Sequence, residues 1–274
     1  MTALPTFSEV RAWATSYPGP TRSVALMRVA FVLLGWAEFG EAIQPHRGSA
    51  LVSTFFYAAT FLALIGFRAQ YTVFASGIAF LLAITRLPGQ MMHHTYLLAV
   101  STMILALTPC GRSLSVDRWR QRKGEREREE GNLWALRLLG VELTAALFWS
   151  GYNKLTFGTH TFQTAFSSGD RLEQMLVYAY SGLPVAAGAA KALITVVSVA
   201  TVLIELGGSV LLWIPRYRSK ALLACLAMTT FYQIALPIRA AGLVYGVLYF
   251  AFVSPHTVEN VMRRLVGARD HVTT

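Results

Sequence analysis

Eight apolar runs, separated by short polar stretches, follow one another along the chain. They lie at 24–44, 50–67, 70–86, 92–109, 134–157, 184–214, 219–238 and 241–255, the last being the shortest. Most approach the roughly 20 residues that an α-helix needs to cross about 30 Å of hydrocarbon. None alternates like the strand of a membrane barrel, and unpaired backbone groups are costly in lipid. The pattern therefore predicts an all-α fold, a polytopic transmembrane helical bundle of about eight spans.

The composition agrees with a membrane protein. Hydrophobic residues make up 54% of the 274 residues and charged residues only 14%, whereas soluble domains contain about 25% charged residues. The first 23 residues hold charges and prolines without an apolar core, so they do not predict a cleavable signal peptide. We expect a cytoplasmic N-terminal segment at 1–23, one membrane domain at 24–256 and a cytoplasmic tail at 257–274. The two cysteines, Cys110 and Cys225, are a poor basis for a disulfide framework.

Lysine and arginine are distributed unevenly between alternate loops. If the N-terminus is cytoplasmic, sixteen basic residues lie in inner segments and three, Arg47, Arg171 and Arg239, in outer ones. Basic residues of short loops stay on the cytoplasmic side, so both termini and the charged loop 110–133 are predicted to be cytoplasmic. The net charge of +10 then forms an inner collar near anionic lipid. The stretch 118–132 is expected to be a solvated loop, and no nucleic-acid partner is predicted.

This orientation places several polar side chains of the predicted spans in the outer half of the bundle. They are His93 and His94 in the fourth span, Lys154 in the fifth, and Glu38, Glu41, Arg86, Gln233 and Arg239 at the same level. A charged side chain at mid-membrane costs about 2.5–3.5 kcal/mol on insertion scales, so such groups usually face an interior and mark function. In the alternative interpretation, Arg86 and Arg239 snorkel to head groups and the histidines are ordinary interfacial residues.

Lys154 is the hardest of these residues to explain structurally. Removal of water from an ammonium group favours the neutral amine, which can accept a proton. Snorkelling explains Lys191, and Glu205 is placed deeper toward the cytoplasm, where we interpret it as a helix contact. Because the loss of a costly polar group rarely harms insertion, Lys154→Ala is expected to leave the bundle folded.

Two small residues precede Lys154 on its own helical face. Ser150 and Gly151 lie four and three positions before it. Their size leaves room beside the amine either for a flat ring or for a neighbouring helix.

Four segments carry a resemblance to a known family. They are "HHTYLL", "LTPCGRSLSVDRW", "LRLLGVELTAALFWSGYNKLTF" and "ELGGSVLLWIPRYRSKALLACLAMTTFYQIAL", beginning at residues 93, 107, 136 and 205. In this order they resemble the membrane domain shared by vitamin K-dependent γ-carboxylases and their bacterial relatives, called the HTTM domain, over roughly 22–256. The resemblance is most specific between 93 and 156.

The resemblance implies a chemistry. In the carboxylases the matching lysine deprotonates vitamin K hydroquinone and the matching histidine supports the developing oxyanion; Lys154 and His94 stand at these positions. The implied enzyme, of carbon–carbon lyase or oxidoreductase type, uses a reduced quinone (vitamin K or menaquinone hydroquinone), O₂ and CO₂ to carboxylate an exported peptide at the outer membrane face. No metal is expected, since His93 and His94 diverge by about 100° on a helix.

Further residues of these motifs, or at their level, are assigned to quinone or substrate binding. They are His93, Tyr96, Arg86, Tyr152, Asn153, Trp149, Tyr232, Gln233 and Arg239. Tyr232 stands where the family commonly has a histidine, so a phenol replaces a possible acid or ligand. The expected partners are the lipid bilayer, the quinone and an exported peptide, and the expected location is the bacterial inner membrane, with the site facing outward.

Two other functions also fit the sequence. The carboxylases grip their substrate with a large extracytoplasmic region, and nothing comparable is expected in the 18 residues after the last span. Compact relatives include a bacterial membrane protein needed to mature a secreted peptide toxin, so peptide maturation by different chemistry is one alternative. A non-catalytic carrier or subunit is the other, although transporters more often show inverted repeats, which we do not find in the sequence.

Overall fold

The computed structural model of the protein describes residues 6–41, 43, 50–86, 93–121, 130–156, 189–235 and 240–270. Its helices are α1 (Phe7–Thr15), α2 (Arg22–Phe39), α3 (Ala50–Ile65), α4 (Ala69–Arg86), α5 (His93–Leu105), α6 (Val116–Arg120), α7 (Ala135–Thr156), α8 (Ala189–Leu211), α9 (Pro215–Ala235), α10 (Ala241–Leu248) and α11 (Pro255–Asp270), with a 3₁₀ turn at Tyr249–Phe252. Strands β1 (Pro18–Pro20) and β2 (Glu130–Asn132) pair antiparallel. The described chain is mostly helical, and the all-α class is confirmed.

Each of the eight predicted apolar runs overlaps one of these helices: α2, α3, α4, α5, α7, α8, α9 and α10. Among the described residues, only α4 is long and apolar enough to cross a membrane by itself. A second span results if residues 241–252 and 255–265, bent by 106° against each other, count as one. Several helices are shorter than their runs; α5, for example, has 13 residues. The eight spans and the orientation of the termini therefore stay predictions.

The chain divides into two compact units, residues 1–140 with 247–274, and residues 141–246. In the first unit α2, α3, α4 and α5 pack against one another. Its centre is aromatic: the Phe80 ring centroid lies 5.6 Å from that of Phe39 and 5.9 Å from that of Phe56. A Cβ on Gly35 would lie 2.1 Å from the Phe80 ring. Glycine is therefore required where α2 approaches α4.

The Ser-Val-Asp element of the sequence ties the loop after α5 to the start of α4. The Asp117 carboxylate accepts hydrogen bonds of 2.7 Å from the backbone amides of Arg68 and Ala69, which stand at the N-terminus of α4 and have no partner within that helix. The fully buried guanidinium of Arg28 donates to the carbonyl of Cys110 at 2.7 Å. We infer that this part of the signature is structural, because its polar groups satisfy backbone groups.

Segments predicted to be solvated or terminal contain folded elements. The stretch 118–132, expected to be a solvated loop, contributes the end of α6 and the strand β2, which pairs with β1; residues 122–129 lie outside the described part of the chain. Residues 1–23 contain α1, which begins with a capping box between Thr6 and Glu9. Hydrogen bonds from the backbone and the hydroxyl of Thr6 lower the pKa of the exposed Glu9 carboxyl. The predicted tail contains most of α11.

In the second unit α8 packs against α9 and, through a glycine, against α7. A Cβ on Gly208 of α8 would lie 2.7 Å from Sγ of Cys225 on α9. A Cβ on Gly151 of α7 would lie 2.9 Å from Cγ of Leu206 on α8. The space beside Gly151, which the sequence left open between a ring and a helix, is therefore occupied by a helix.

Candidate functional site

Lys154, the residue singled out in the sequence, forms an ion pair with Glu205. Its Nζ donates to Oε1 of Glu205 at 2.5 Å and to Oε2 at 2.6 Å. Nζ also donates to Oγ of Ser150 at 2.9 Å, and the Ser150 hydroxyl donates to Oε1 of Glu205 at 3.1 Å. The three side chains thus form a closed set of hydrogen bonds, in which the carboxylate accepts from both partners.

Helical spacing and a glycine bring these groups together. Ser150 and Lys154 are four residues apart on α7, so their side chains lie one turn apart on the same face. Gly151 is close to that face, and its missing side chain lets α8 approach. A Cβ at this position would lie only 3.2 Å from the Cβ of Glu205. The close contact of α7 with α8 is therefore what places the carboxylate beside Nζ.

The ion pair lines a cavity of about 150 Å³ within the second unit. Besides Lys154, Glu205 and Ser150, the lining consists of Leu147 from α7, Met228, Thr229 and Tyr232 from α9, and Ala241, Gly242 and Tyr245 from α10. Most of the lining is apolar or aromatic, with a few polar side chains converging at the ion pair. Small-molecule sites commonly have this composition, because apolar walls supply contact and a few polar groups fix orientation.

Two predicted binding residues on α9 have different surroundings. The ring centroid of Tyr232 lies 5.8 Å from Nζ of Lys154, which is within the range of a cation–π interaction. The side-chain carbonyl of Gln233 accepts a hydrogen bond of 3.0 Å from the amide of Gly242. Tyr232 therefore lines the cavity beside the amine, whereas Gln233 ties the end of α9 to the start of α10.

Both charges of the pair are largely withdrawn from water. The side chain of Glu205 is 4% exposed and that of Lys154 is 27% exposed. Removing an ion from water costs several kcal/mol, which a close partner and additional hydrogen bonds offset. The sequence interpretation placed Glu205 at a deeper level than Lys154, and the ion pair shows that this was wrong. Hydropathy does not determine how far two packed helices are shifted along each other.

In the first unit His94 is paired with a second carboxylate. Its Nε2 lies 3.4 Å from Oε1 of Glu38, and both side chains are 6% exposed. The other oxygen of Glu38 is buried and has no hydrogen-bond partner among the described residues. The two residues were predicted at one level of the bundle, and the structure brings them into contact. A carboxylate beside one ring nitrogen fixes the orientation and the tautomer of an imidazole.

The other predicted residues of the first unit are more exposed. His93 begins α5 and Arg86 ends α4, and both side chains are exposed. Tyr96 is 40% exposed. His94 belongs to the first unit and Lys154 to the second, so the expected convergence of these two residues stays a prediction.

The aromatic residues around Lys154 in sequence occupy the outside of α7. Trp149 and Tyr152 are exposed, with ring centroids 5.9 Å apart, and Asn153 is half-buried. Within the described residues, none of the three lines the Lys154 cavity. Arg239 lies outside the described part of the chain. Quinone binding by these four residues stays a prediction.

The sequence reasoning missed Glu205 as a site residue, although a signal was present. A lysine within an apolar run needs a countercharge, and the predicted spans contain four acidic residues: Glu38, Glu41, Glu142 and Glu205. Glu142 is twelve positions, or more than three turns, from Lys154 on the same helix. Charge balance would therefore have left Glu38, Glu41 and Glu205 as the candidate partners of Lys154. No comparable signal marks Thr229 or Tyr245.

Comparison with known families identifies the domain. The HTTM domain family model matches residues 24–255, which is most of the chain. The matched range includes the whole Lys154 cavity and the pair formed by His94 and Glu38. No match was found among curated proteins or among solved structures.

Proposed function

This chain belongs to the HTTM domain family, and from this premise we propose that it is a membrane-embedded enzyme resembling the vitamin K-dependent carboxylases. Its substrate would be an exported peptide, modified at the outer face of a bacterial inner membrane. The observation that carries the proposal is the position of Lys154, whose amine lines an apolar cavity and is held by two hydrogen-bonding partners.

The cavity suits the ring of a reduced quinone. Its volume is about 150 Å³, and an engineered protein cavity of about that size, lined by apolar side chains, binds benzene. Leu147, Met228 and Tyr232 supply apolar and aromatic contact surface, and Lys154 supplies a polar partner for a hydroxyl group. A bound hydroquinone would supply reducing electrons and, with O₂, the strong base needed to remove a proton from a peptide glutamate before CO₂ adds.

In this proposal each residue has a stated task. Nζ of Lys154 takes the proton of a ring hydroxyl, and Ser150 holds Nζ in place through its 2.9 Å hydrogen bond. The walls around Nζ are mostly apolar, and a site that holds little water when the quinol is bound would strengthen electrostatic interactions there. The family resemblance assigns to His94, which lies beside Glu38, the support of a developing negative charge. The role of His94 rests on the family resemblance, and that of Lys154 on the resemblance and the cavity together.

Substitution of Lys154 tests the proposal. With a menaquinol as the probe and purified protein in lipid nanodiscs, we expect Lys154→Ala to lower the rate of oxygen-dependent quinol conversion by about 10²–10⁴-fold, the usual contribution of a general base. Lys154→Arg should fail as well, because a guanidinium stays charged. Lys220, an exposed lysine of α9, provides the matched control, and Lys220→Ala should retain the rate of the unsubstituted protein.

Chemical rescue sharpens this test. A small primary amine that enters the space vacated in Lys154→Ala should restore part of the activity, increasingly as the pH approaches the pKa of the free amine. Full activity of Lys154→Arg would mean that the residue acts as a fixed cation, and the base assignment would be abandoned. Binding of the quinol without any oxygen-dependent conversion would favour the carrier alternative.

A further inference from the structure

The geometry points to Glu205 as the group that takes the proton from Lys154, so that the base of this site is an amine and a carboxylate acting together. This inference rests on the proposed function of Lys154 and specifies how its amine becomes able to accept a proton. Glu205 acts through Lys154, and its carboxylate stores the proton that the amine receives.

An ion-paired lysine cannot be a base in its resting form. An ammonium group has three donors and no lone pair, so Nζ must lose a proton before it can accept one. Both oxygens of Glu205 accept hydrogen bonds from Nζ, at 2.5 and 2.6 Å, and can receive that proton. The hydroxyl of Ser150 is also close to Nζ, but it donates its own proton to Oε1 of Glu205. Among the described residues, the carboxylate is therefore the acceptor that the hydrogen bonds single out.

Burial favours a transfer inside the pair. Each buried ion costs several kcal/mol in lost hydration, and one proton moving from Nζ to the carboxylate removes both charges at once. The Glu205 side chain is 4% exposed, so water competes little for the proton. The cavity walls, including Leu147 and Met228, are apolar, and such surroundings reduce the advantage of the charged form over the neutral one.

The proton balance is closed without an oxidant or another base. One N–H bond of Lys154 breaks and one O–H bond of Glu205 forms, which leaves a lone pair on Nζ. Nζ then accepts the hydroxyl proton of a quinol, and its third N–H bond is restored. After the two transfers Lys154 is again an ammonium ion, Glu205 is a neutral carboxylic acid, and the quinol has become an anion by losing one proton to the pair.

Replacement of Glu205 distinguishes this relay from a lysine acting alone. If Lys154 acts alone, Glu205→Gln removes the countercharge, and the desolvated amine becomes neutral more easily. Quinol conversion should then be retained or increased. The relay predicts a loss of at least about 100-fold in Glu205→Gln, the lower range of general-base effects, and a measurable rate in Glu205→Asp, which keeps a carboxylate. Glu142→Gln is the matched control, since Glu142 lies in the same unit but does not line the cavity.

Infrared difference spectroscopy provides a readout other than activity. Addition of a menaquinol under anaerobic conditions should produce the carbonyl band of a protonated carboxylic acid, which shifts in D₂O. We expect this band in the unsubstituted protein and in Glu142→Gln, its loss in Glu205→Gln, and a displaced band in Glu205→Asp. An unchanged band in Glu205→Gln, or no band in the unsubstituted protein, would overturn the relay. If Glu205→Gln does not fold, the Glu205→Asp variant is used instead: a displaced band supports the relay, and an unchanged band overturns it.

The two proposals fail in different ways. Full activity of Lys154→Ala would remove the proposed function and the relay together. Inactivity of Lys154→Ala combined with full activity of Glu205→Gln would remove only the relay and leave Lys154 as a base acting alone.

Discussion

Gly151 provides a test of whether the close approach of α7 to α8 sets up the ion pair. An added Cβ would lie 2.9 Å from Cγ and 3.0 Å from Cδ2 of Leu206, and 3.2 Å from Cβ of Glu205. Favourable contacts between carbon atoms lie at about 3.5–4.0 Å. Gly151→Ala must therefore displace α8 or force Leu206 out of its rotamer. A displacement of α8 would lengthen the distances from Glu205 to Nζ of Lys154.

Two opposing effects determine the size of the change in stability. Alanine is about 1 kcal/mol more favourable than glycine inside a helix, and overpacking a filled interface costs about 1–3 kcal/mol. The free energy of unfolding of Gly151→Ala should therefore fall by between zero and about 2 kcal/mol. Gly207→Ala on α8 is the matched control, because a Cβ there would meet its nearest atom, Cδ1 of Leu211, at 3.8 Å. At this position only the higher helix propensity of alanine acts, so Gly207→Ala should raise the free energy of unfolding by about 1 kcal/mol.

Thermal unfolding in detergent, followed by circular dichroism, gives the comparison directly. Gly151→Ala should unfold at or below the temperature of the unsubstituted protein, and Gly207→Ala above it. Quinol conversion should be reduced only in Gly151→Ala, because only at this position would an added Cβ crowd Leu206 and the Cβ of Glu205. Equal rises in the unfolding temperature of both variants would refute the reasoning, since they would show that α8 does not resist a side chain at position 151.

Three further predictions follow from other parts of the molecule. Asp117→Ala removes the partner of two amides at the start of α4 and should cost about 0.5–2 kcal/mol in unfolding free energy, as the loss of a helix cap does. Burial raises the pKa of Cys110 to about 11, so maleimide labelling measured by mass spectrometry should be slow at neutral pH, increase only as the pH approaches that value, and become fast in denaturant. A reporter active only outside the cytoplasm should be silent after residue 122 or 270 and active near 165; activity at 122 would place Lys154 on the wrong side of the membrane.

The positions of the helices were predictable because apolar runs and helices have the same cause. The backbone N–H and C=O groups of an apolar run are withdrawn from water and must form hydrogen bonds within the segment, as they do in a helix. Accordingly, α4 at Ala69–Arg86 closely matches the run at 70–86. Helix ends were less predictable. α5 ends at Leu105, before its run ends at 109, because the Thr108 and Cys110 backbone enters turns that hydropathy does not distinguish from helix.

The candidate site was predictable only in part. Lys154 stood out because a charge in an apolar run is costly, and this depends on one position alone. Its pairing with Glu205, 51 positions later in the sequence, depends on the register between α7 and α8. Gly151 sets how closely those helices approach, but a glycine in an apolar run is equally consistent with a ligand contact. Pairwise geometry of this kind is not encoded in hydropathy.

The pair also changes what is expected of the protein when Lys154 is removed. From the sequence, Lys154→Ala was expected to be harmless to folding, because a costly charge disappears. The structure shows that the same substitution leaves the carboxylate of Glu205, 4% exposed, without its countercharge. Breaking a buried pair costs about 3–5 kcal/mol, whereas replacing both partners by apolar residues is often neutral or stabilising. Because Lys154 is itself 27% exposed, we expect the lower end of that range, about 3 kcal/mol.

A double substitution separates the contribution of the pair to stability from its contribution to function. Lys154→Met combined with Glu205→Leu replaces both charges by apolar side chains of similar size, so the double variant should unfold at or above the temperature of the unsubstituted protein. Lys154→Met alone should unfold at a lower temperature. Neither variant should convert quinol. If the double variant were the less stable of the two, the ion pair would be a structural element of the fold, and its presence in the cavity would no longer argue for a catalytic role.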